Sequence, residues 1–368
     1  MIDILNILAT SLLTTISLIS LYNLITLRRS KKPEENSVKE LSNSLTILIP
    51  ARNEELNITT CLLSIRKYLG SEVTIKVLDD NSTDGTRRKL EDLQVNDSRL
   101  QIIRGETLPK GWRGKTWAMH QLVNEATTKY VMFMDADVQF KSESINDLLL
   151  LILKNKTLYS LIPKQVSVNS WVESFANFYL VWWPTSILPM RILQKKGLKK
   201  AAVSVGQILV GETSVFKGRK GIEKVKESMI EDVDIARNAM KRGYNFRNIY
   251  IPHVAVSNTY GSLKEAINGY SRSFYLINKD LPSFMFNILI PALLLSITIL
   301  SLLGLLEWMN LIIVIINIGI YSLISDSTML ISILTYIPNL LLLIYTALTS
   351  YFKYHLGNYE WRGRVYEK

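Results

Sequence analysis

The run Phe133-Met134-Asp135-Ala136-Asp137-Val138 sets two carboxylates one residue apart at the end of an apolar stretch that begins at Tyr130. In an extended segment, residues i and i+2 face the same side. Strand geometry carried through that end would therefore aim Asp135 and Asp137 at one cation. Hard carboxylate oxygens suit Mg²⁺ or Mn²⁺, and those ions in turn suit phosphates. An isolated Asp-x-Asp is as readily a pair of solvated acids capping a loop, so its meaning depends on its company. Two more acidic groups, Asp79-Asp80 and Glu231-Asp232-Val233-Asp234, occur along the chain, with a glycine-flanked lysine in Gly111-Trp112-Arg113-Gly114-Lys115. A departing diphosphate needs its charge neutralised, which a divalent cation with Lys or Arg provides. Lys115 is read as sitting on a loop that can approach such a group closely, against the plainer reading of a surface lysine. An attacking hydroxyl or carboxyl must pass its proton to a carboxylate on the face opposite the leaving group. Asp232 opens an expected helix, whose N-terminus favours the ionised form, whereas Glu231 beside it opposes ionisation; the sequence leaves that balance open. The plainer reading of Glu231, Asp232 and Asp234 is an acidic first helical turn.

These groups fall where an alternating pattern of elements would gather them. The β-rich runs 45–50, 73–78, 102–103 and 130–134 alternate with helical patterns over 58–69, 84–93 and 117–126. Such alternation predicts βαβ units and a mostly parallel sheet, whose ligands bind at the carboxyl ends of the strands. The polar loops Ala51-Arg52-Asn53-Glu54-Glu55 and Asp79-Asp80-Asn81-Ser82-Thr83-Asp84-Gly85 sit at those ends, and Ser82 or Thr83 is placed to cap the helix that follows. Further on, a helix over 145–153, strands over 159–166, 206–210 and 246–256, and helices over 231–241 and 263–274 are expected, with Gly243 as a C-cap. The basic, glycine-containing stretch 217–226 reads as a mobile loop. Residues 170–196 carry Trp171, Phe175, Phe178, Tyr179, Trp182 and Trp183 and end in Arg191, Lys195 and Lys196. That composition suits an interfacial helix, with a core helix or a shallow hairpin into the bilayer as alternatives.

Net charge is +11, yet the basic residues form no nucleic-acid motif and no aromatic–basic signature. A chain lying on an anionic membrane and handling diphosphates accounts for the charge. The lone Cys61 excludes an intramolecular disulfide, fits a reducing compartment and reads as a small buried hydrophobe. The three His residues have no zinc spacing. Hydrophobic residues make up 48% and mean hydropathy is +0.15, owing to four charge-free stretches at 4–27, 281–306, 308–325 and 327–352. About 20 apolar residues suffice to cross a bilayer. Arg28, Arg29, Lys31 and Lys32 directly follow the first stretch and place its C-terminal side in the cytoplasm. A cleaved signal peptide would instead carry its positive charge ahead of the apolar core. The expected organisation is a transmembrane helix at 1–27, a basic and polar linker at 28–44, an α/β catalytic domain at 45–280 with the interfacial segment inside it, a transmembrane region at 281–352 and a basic cytoplasmic tail at 353–368. Keeping that tail inside favours two effective C-terminal crossings, with either 308–325 or the Pro338-containing stretch re-entrant or interfacial.

Taken together, Pro50-Ala-Arg-Asn-Glu-Glu55, Asp79-Asp-Asn-Ser-Thr-Asp-Gly85, Gly111-Trp-Arg-Gly-Lys115, Asp135-Ala-Asp137 and Glu231-Asp-Val-Asp234 resemble, in order, the motifs of membrane-associated family 2 glycosyltransferases of the GT-A fold. The Gly-Trp-x-Gly-Lys stretch and the terminal Trp361-Arg-Gly-Arg-x-Tyr366 look most like the branch that glycosylates lipids, including bacterial carotenoid (diaponeurosporenoate-type) and hopanoid-associated enzymes. Processive synthases end their catalytic region with Gln-x-x-Arg-Trp; Gly269-Tyr-Ser-Arg-Ser-Phe274 stands here instead and argues against a polysaccharide synthase. The resemblance implies an inverting hexosyl transfer from a nucleotide sugar, UDP-hexose above all, to a membrane lipid, with Mg²⁺ or Mn²⁺. It implies Asp232 as base and Asp137 as metal ligand, with Asp135 on ribose or metal and Lys115 on the diphosphate. Glu54 and Asp80 bind the nucleoside, Arg52 adds a contact, and Asp79 serves either as a contact or as loop structure. Arg272 meets phosphate, Gln207 and Glu231 line the acceptor side, and Arg362 and Arg364 fold back towards phosphate with Trp361 at the interface. The rival readings are a polyprenyl-phosphate glycosyltransferase or short polysaccharide synthase, and a degenerate transferase-fold membrane scaffold.

Overall fold

The computed structural model describes residues 2–27, 44–69, 73–153, 156–193, 204–277, 280–356, 358–361 and 364–367. Arg28, Arg29, Lys31, Lys32, the Pro33 linker, Lys195, Lys196 and Arg362 lie outside the described residues. The chain divides into two units, Ser30–Lys164 with Leu193–Asn258, and Met1–Arg29 with Gln165–Ile192 and Thr259–Lys368.

The first of these is an α/β unit. Its strands are β1 (Leu45–Ala51), β2 (Thr74–Asp79), β3 (Leu100–Arg104), β4 (Tyr130–Met134), β5 (Val138–Phe140), β6 (Thr157–Ile162), β8 (Ile208–Glu212), β9 (Asn245–Tyr250) and β10 (Ala255–Ser257), with a two-residue β7 (Lys164–Gln165) where its first segment ends. Seven of them form one sheet in the order β3-β2-β1-β4-β8-β6-β9. β1 is parallel to both β2 and β4, and β2 is parallel to β3. β8 runs antiparallel to β4 and β6, and β6 is parallel to β9, so the sheet is mixed but dominated by parallel pairs, as expected. β1 shows why a continuous apolar run is needed here. Leu45, Ile47 and Ile49 pack with Ile58, Cys61 and Ile65 of helix Ile58–Tyr68, whereas Leu48 packs in a second cluster with Met119, Leu122 and Val123 of helix Gly114–Asn124. Successive side chains enter opposite cores, so both faces of the strand are apolar.

Several local expectations need correction. Helix 84–93 starts at Thr86, and neither Ser82 nor Thr83 caps it; Asp84 Oδ1 instead accepts from the Thr86 N–H at 3.0 Å. The helix expected at 117–126 begins at Gly114, so Lys115 lies in a first helical turn and not on a loop. The strands expected over 159–166 and 246–256 each divide into two. The stretch 217–226 is not a free loop: it holds a 3₁₀ turn at Ile222–Val225, with Ile222 and Val225 buried in the second core. Gly243, at φ +87, follows helix Glu231–Lys241 and donates to Met240 O at 3.1 Å, as a C-cap should.

The other unit is helical. By length and composition, Ile2–Thr26, Leu281–Leu302 and Met329–Leu356 can each cross a membrane; the apolar helix Met309–Ser325 is shorter. Pro338 lies inside the last long helix, which continues through it. The interior is stitched by amides. Trp182 Nε1 donates to Asn317 Oδ1 at 2.9 Å, Trp183 Nε1 donates to Asn287 Oδ1 at 2.8 Å, and Asn23 Nδ2 donates to Thr185 O at 2.7 Å. The aromatic stretch expected among lipid headgroups resolves into helix Ser170–Asn177, a π-helical turn at Phe178–Trp182 and helices Trp183–Ile187 and Met190–Leu193. Trp171 is exposed, but Phe175, Phe178, Trp182 and Trp183 are buried. Indoles can be buried here because asparagine side chains take their N–H groups. The helix expected at 263–274 ends at Ser271, with Arg272 as its C-cap.

The ordered 217–226 segment predicts a contrast between two glycines. A Cβ on Gly221 would fall on the carbonyl of Phe216 and within 2.8 Å of the Lys217 nitrogen, whereas Gly218 has φ +72 and open space around it. Gly218→Ala should cost about 1 kcal/mol of backbone strain, and Gly221→Ala about 3 kcal/mol. Thermal unfolding of both variants checks this, and equal, small losses would mean the segment is loose.

Candidate active site

Two loops at the carboxyl edge of the sheet are locked to each other. Asn53 and Asn81 adopt left-handed backbone (φ 54 and 53), which asparagine tolerates better than most residues. Asn53 N–H donates to Ser82 Oγ at 3.0 Å, and Asn53 Oδ1 accepts from the Thr83 N–H at 2.8 Å. Glu54 N–H donates to Thr86 Oγ1 at 2.8 Å, and Gly85 N–H donates to Glu55 Oε2 at 3.0 Å. Four predicted residues sit on this frame. Arg52 Nη1 donates to Asp80 O at 2.7 Å and lies 3.9 Å from Asp80 Oδ2. Glu54 Oε2 accepts from Asn57 Nδ2 at 3.0 Å. Asp79 and Asp80 are buried, and Asp79 Oδ1 accepts from the Ser82 N–H at 3.1 Å, a loop-holding contact.

A second group gathers around Lys115. Its Nζ lies 2.9 Å from Asp135 Oδ1 and 3.2 Å from Glu231 Oε1, joining the end of β4 to the N-terminus of helix Glu231–Lys241. Burial alone would lower the lysine's pKa; Asp135 and Glu231 outweigh it and push it up. Asp135 rises to about 6, chiefly through burial, with Lys115 pulling it down and Asp137 pushing it up. Asp232 rises to about 7, first through burial, then through Glu231, with Lys115 acting in the opposite sense. Desolvation adds to Glu231 in opposing ionisation of Asp232. Asp234 belongs elsewhere: its Oδ2 accepts from Ser228 Oγ at 2.7 Å.

Strand geometry does not persist through Asp135-Ala136-Asp137. β4 ends at Met134, and Val138 N–H donates to Asp135 O at 3.1 Å in a turn. Asp137 still lies close enough for its charge to raise Asp135. Among the described residues no group of three or more His, Cys, Asp or Glu could hold a metal ion. Two neighbouring carboxylates nevertheless fit Mg²⁺ or Mn²⁺, since such ions take one or two carboxylates and complete their shell with water and substrate phosphates. Beneath the site lies Cys61, fully buried; burial first, then Asp137, Glu54 and Asp135, push its thiol up.

Gln207 is anchored through both its side chain and its backbone. Its Nε2 donates to Ser257 Oγ at 2.8 Å, and its carbonyl accepts from the Asp135 N–H at 2.9 Å. Ser257 was not foreseen, since nothing in its sequence context marks it. Arg272 lies in the helical unit, where its Nε donates to Gly269 O at 3.4 Å. Trp361 and Arg364 lie in an antiparallel pair, Asn358–Trp361 with Arg364–Glu367.

Residues 46–218 match Glycosyl transferase family 2. The chain is 38% identical over 97 residues to a 4,4'-diaponeurosporenoate glycosyltransferase of Staphylococcus aureus, covering 26% of this chain and 24% of that protein. It is 23% identical over 170 residues to the UDP-Glc:alpha-D-GlcNAc-diphosphoundecaprenol beta-1,3-glucosyltransferase of Escherichia coli, covering 46% and 60%. These matches span between about a quarter and three fifths of the relatives' lengths. Among solved structures, a mannosyltransferase from Pyrobaculum calidifontis in complex with GDP-Man and Mn²⁺ matches with a TM-score of 0.53 and 16% identity, over 96% of this chain and 99% of that one. The fold is GT-A, as the sequence motifs implied.

The electrostatics predict a titration. By ¹³C NMR, the Asp232 carboxyl should titrate near 7; Glu231→Gln should lower the midpoint and Lys115→Met should raise it. A carboxyl whose folded pKa is raised binds more protons folded than unfolded, so it destabilises progressively as pH climbs from its unfolded value towards its folded one. Asp232→Asn should therefore raise Tm by a few degrees at about pH 8 and change it little at about pH 4.

Proposed function

We propose, from the match of residues 46–218 to Glycosyl transferase family 2, that the protein moves one sugar from a nucleotide-sugar donor to a membrane lipid, with inversion. The observation that carries the reading is the Lys115 ammonium held between Asp135 and Glu231 beside the Asp232 carboxyl, whose pKa burial and Glu231 push up to about 7. A base in that range is matched to working pH. In this reading Arg52, Glu54 and Asp80 hold the nucleoside from the locked loops, with Asp79 bracing them. Asp137 and Asp135 hold Mg²⁺ or Mn²⁺, which when bound neutralises charge on the diphosphate. Lys115 adds its own charge to the leaving group, and Asp232 takes the proton from the acceptor as it attacks the anomeric carbon. Glu231 keeps Lys115 in place and raises Asp232. Arg272 and the tail residues Trp361, Arg362 and Arg364 are proposed as phosphate contacts.

UDP-hexose is the favoured donor, and a carotenoid, other terpenoid or hopanoid-like lipid the favoured acceptor. The Staphylococcus aureus relative's name supports such an acceptor. The Escherichia coli relative's name supports UDP-glucose as donor and keeps a polyprenyl-linked acceptor as the second reading. The basic cluster after the first apolar helix supports a cytoplasmic location for the α/β unit. Crossings by Ile2–Thr26, Leu281–Leu302 and Met329–Leu356, with the shorter Met309–Ser325 not crossing, keep the tail on that side. A scaffold that has lost catalysis would not need the Lys115 cluster intact.

The test uses radiolabelled UDP-glucose and membranes carrying the full chain, with product extracted into butanol. Asp232→Asn should lose at least about 100-fold in transfer while UDP binding is retained. Full transfer by Asp232→Asn would remove it as base. Asp137→Ala should weaken Mn²⁺-dependent binding of UDP; unchanged binding and transfer would remove the metal role.

A further inference from the structure

We propose that Gly206-Gln207 is a positioning element that sets the Asp232 carboxylate against the donor-side carboxylate Asp135; this rests on the reading of Asp232 as base. Three observations meet in this dipeptide. A Cβ built on Gly206 would lie 3.1 Å from Asp232 Cβ and 3.3 Å from both Cγ and Oδ2, so the aspartate packs against the bare Cα. The next residue's carbonyl accepts the Asp135 N–H at 2.9 Å. Its side chain is anchored inward, Nε2 donating to the fully buried Ser257 Oγ at 2.8 Å. One short segment therefore touches the base through a missing side chain, holds the Asp135 backbone through a carbonyl, and is tied to β10 by an amide.

The consequence concerns distance. Any side chain at position 206 pushes the Asp232 carboxylate by a few tenths of an ångström, or displaces β8 and with it Asp135. Either motion changes the gap that an acceptor must bridge between base and donor. This assigns Gln207 a task different from touching the acceptor: with its amide turned to Ser257, it fixes the peptide that orients its neighbours. Gly206 is not constrained by a positive φ, so the requirement for glycine is one of space alone.

The experiment compares Gly206→Ala and Gln207→Ala with Gly211→Ala in the full chain, in membranes. Gly211 is a matched control on β8: a Cβ there crowds Leu158 at 3.3 Å and Phe216 at 3.6 Å and meets no carboxylate. Expected for Gly206→Ala is a kcat lower by about 10- to 100-fold, with UDP affinity and donor KM within about twofold of the parent. Gly211→Ala should lower Tm to a similar extent and leave kcat within about threefold. Gln207→Ala should lower kcat with acceptor KM unchanged. The inference is overturned if Gly206→Ala keeps full kcat while Asp232→Asn is inactive, if its kcat falls only in step with UDP affinity, or if Gln207→Ala raises acceptor KM at unchanged kcat. An active Asp232→Asn would instead sink the base reading itself.

Discussion

The Lys115 ammonium among several carboxylates is what the α/β unit is built to hold. Lys115 Nζ meets Asp135 and Glu231 directly, and its charge also acts on Asp232. Gathering that many acids in a poorly solvated place is costly, and removing the cation would leave them facing one another uncompensated. The sheet, its two locked loops and the N-terminus of helix Glu231–Lys241 can be viewed as the frame that makes the arrangement tolerable. Parallel strands β1, β2 and β4 bring their acidic ends to one edge, while the antiparallel entry of β8 sets Gln207 beside Asp135. The site is therefore electrostatically tense before any ligand arrives.

The helical unit solves a different problem with similar means. Its long helices are apolar outside, yet amides and hydroxyls of Asn23, Ser20, Asn287 and Asn317 are buried and pair with indoles, backbone carbonyls and one another. In a low-dielectric setting such groups have few alternative partners, so they specify which helices meet and in what register more than they add stability. The π-helical turn at Phe178–Trp182 belongs to the same system, because it places both Trp182 and Trp183 where an asparagine can receive their N–H groups.

Much of the sheet could be read from sequence for a physical reason. β1 and β4 are buried on both faces, so they appear as nearly unbroken apolar runs ending in polar loops, and those loops advertise the carboxyl edge. Charges and helix caps were harder to read. Lys115 was expected on a loop because glycines flank it, but one of them opens the helix instead. Ser82 was expected to cap a helix; Asn53 claimed its hydroxyl from another loop. The upward push on the Asp232 carboxyl comes first from burial, which has no local signature. The aromatic stretch 170–193 has the composition of an interfacial segment, and composition does not show that asparagines elsewhere in the chain will take the indole N–H groups.

The fully buried Cys61 has a practical corollary. It is the chain's sole cysteine, and burial together with neighbouring carboxylates keeps its thiol protonated. Reagents that require an exposed thiolate therefore meet a molecule that behaves as though it had none. A cysteine introduced at one exposed position would carry a fluorophore or spin label with a clean background, in the native sequence and without deleting a residue from beneath the site.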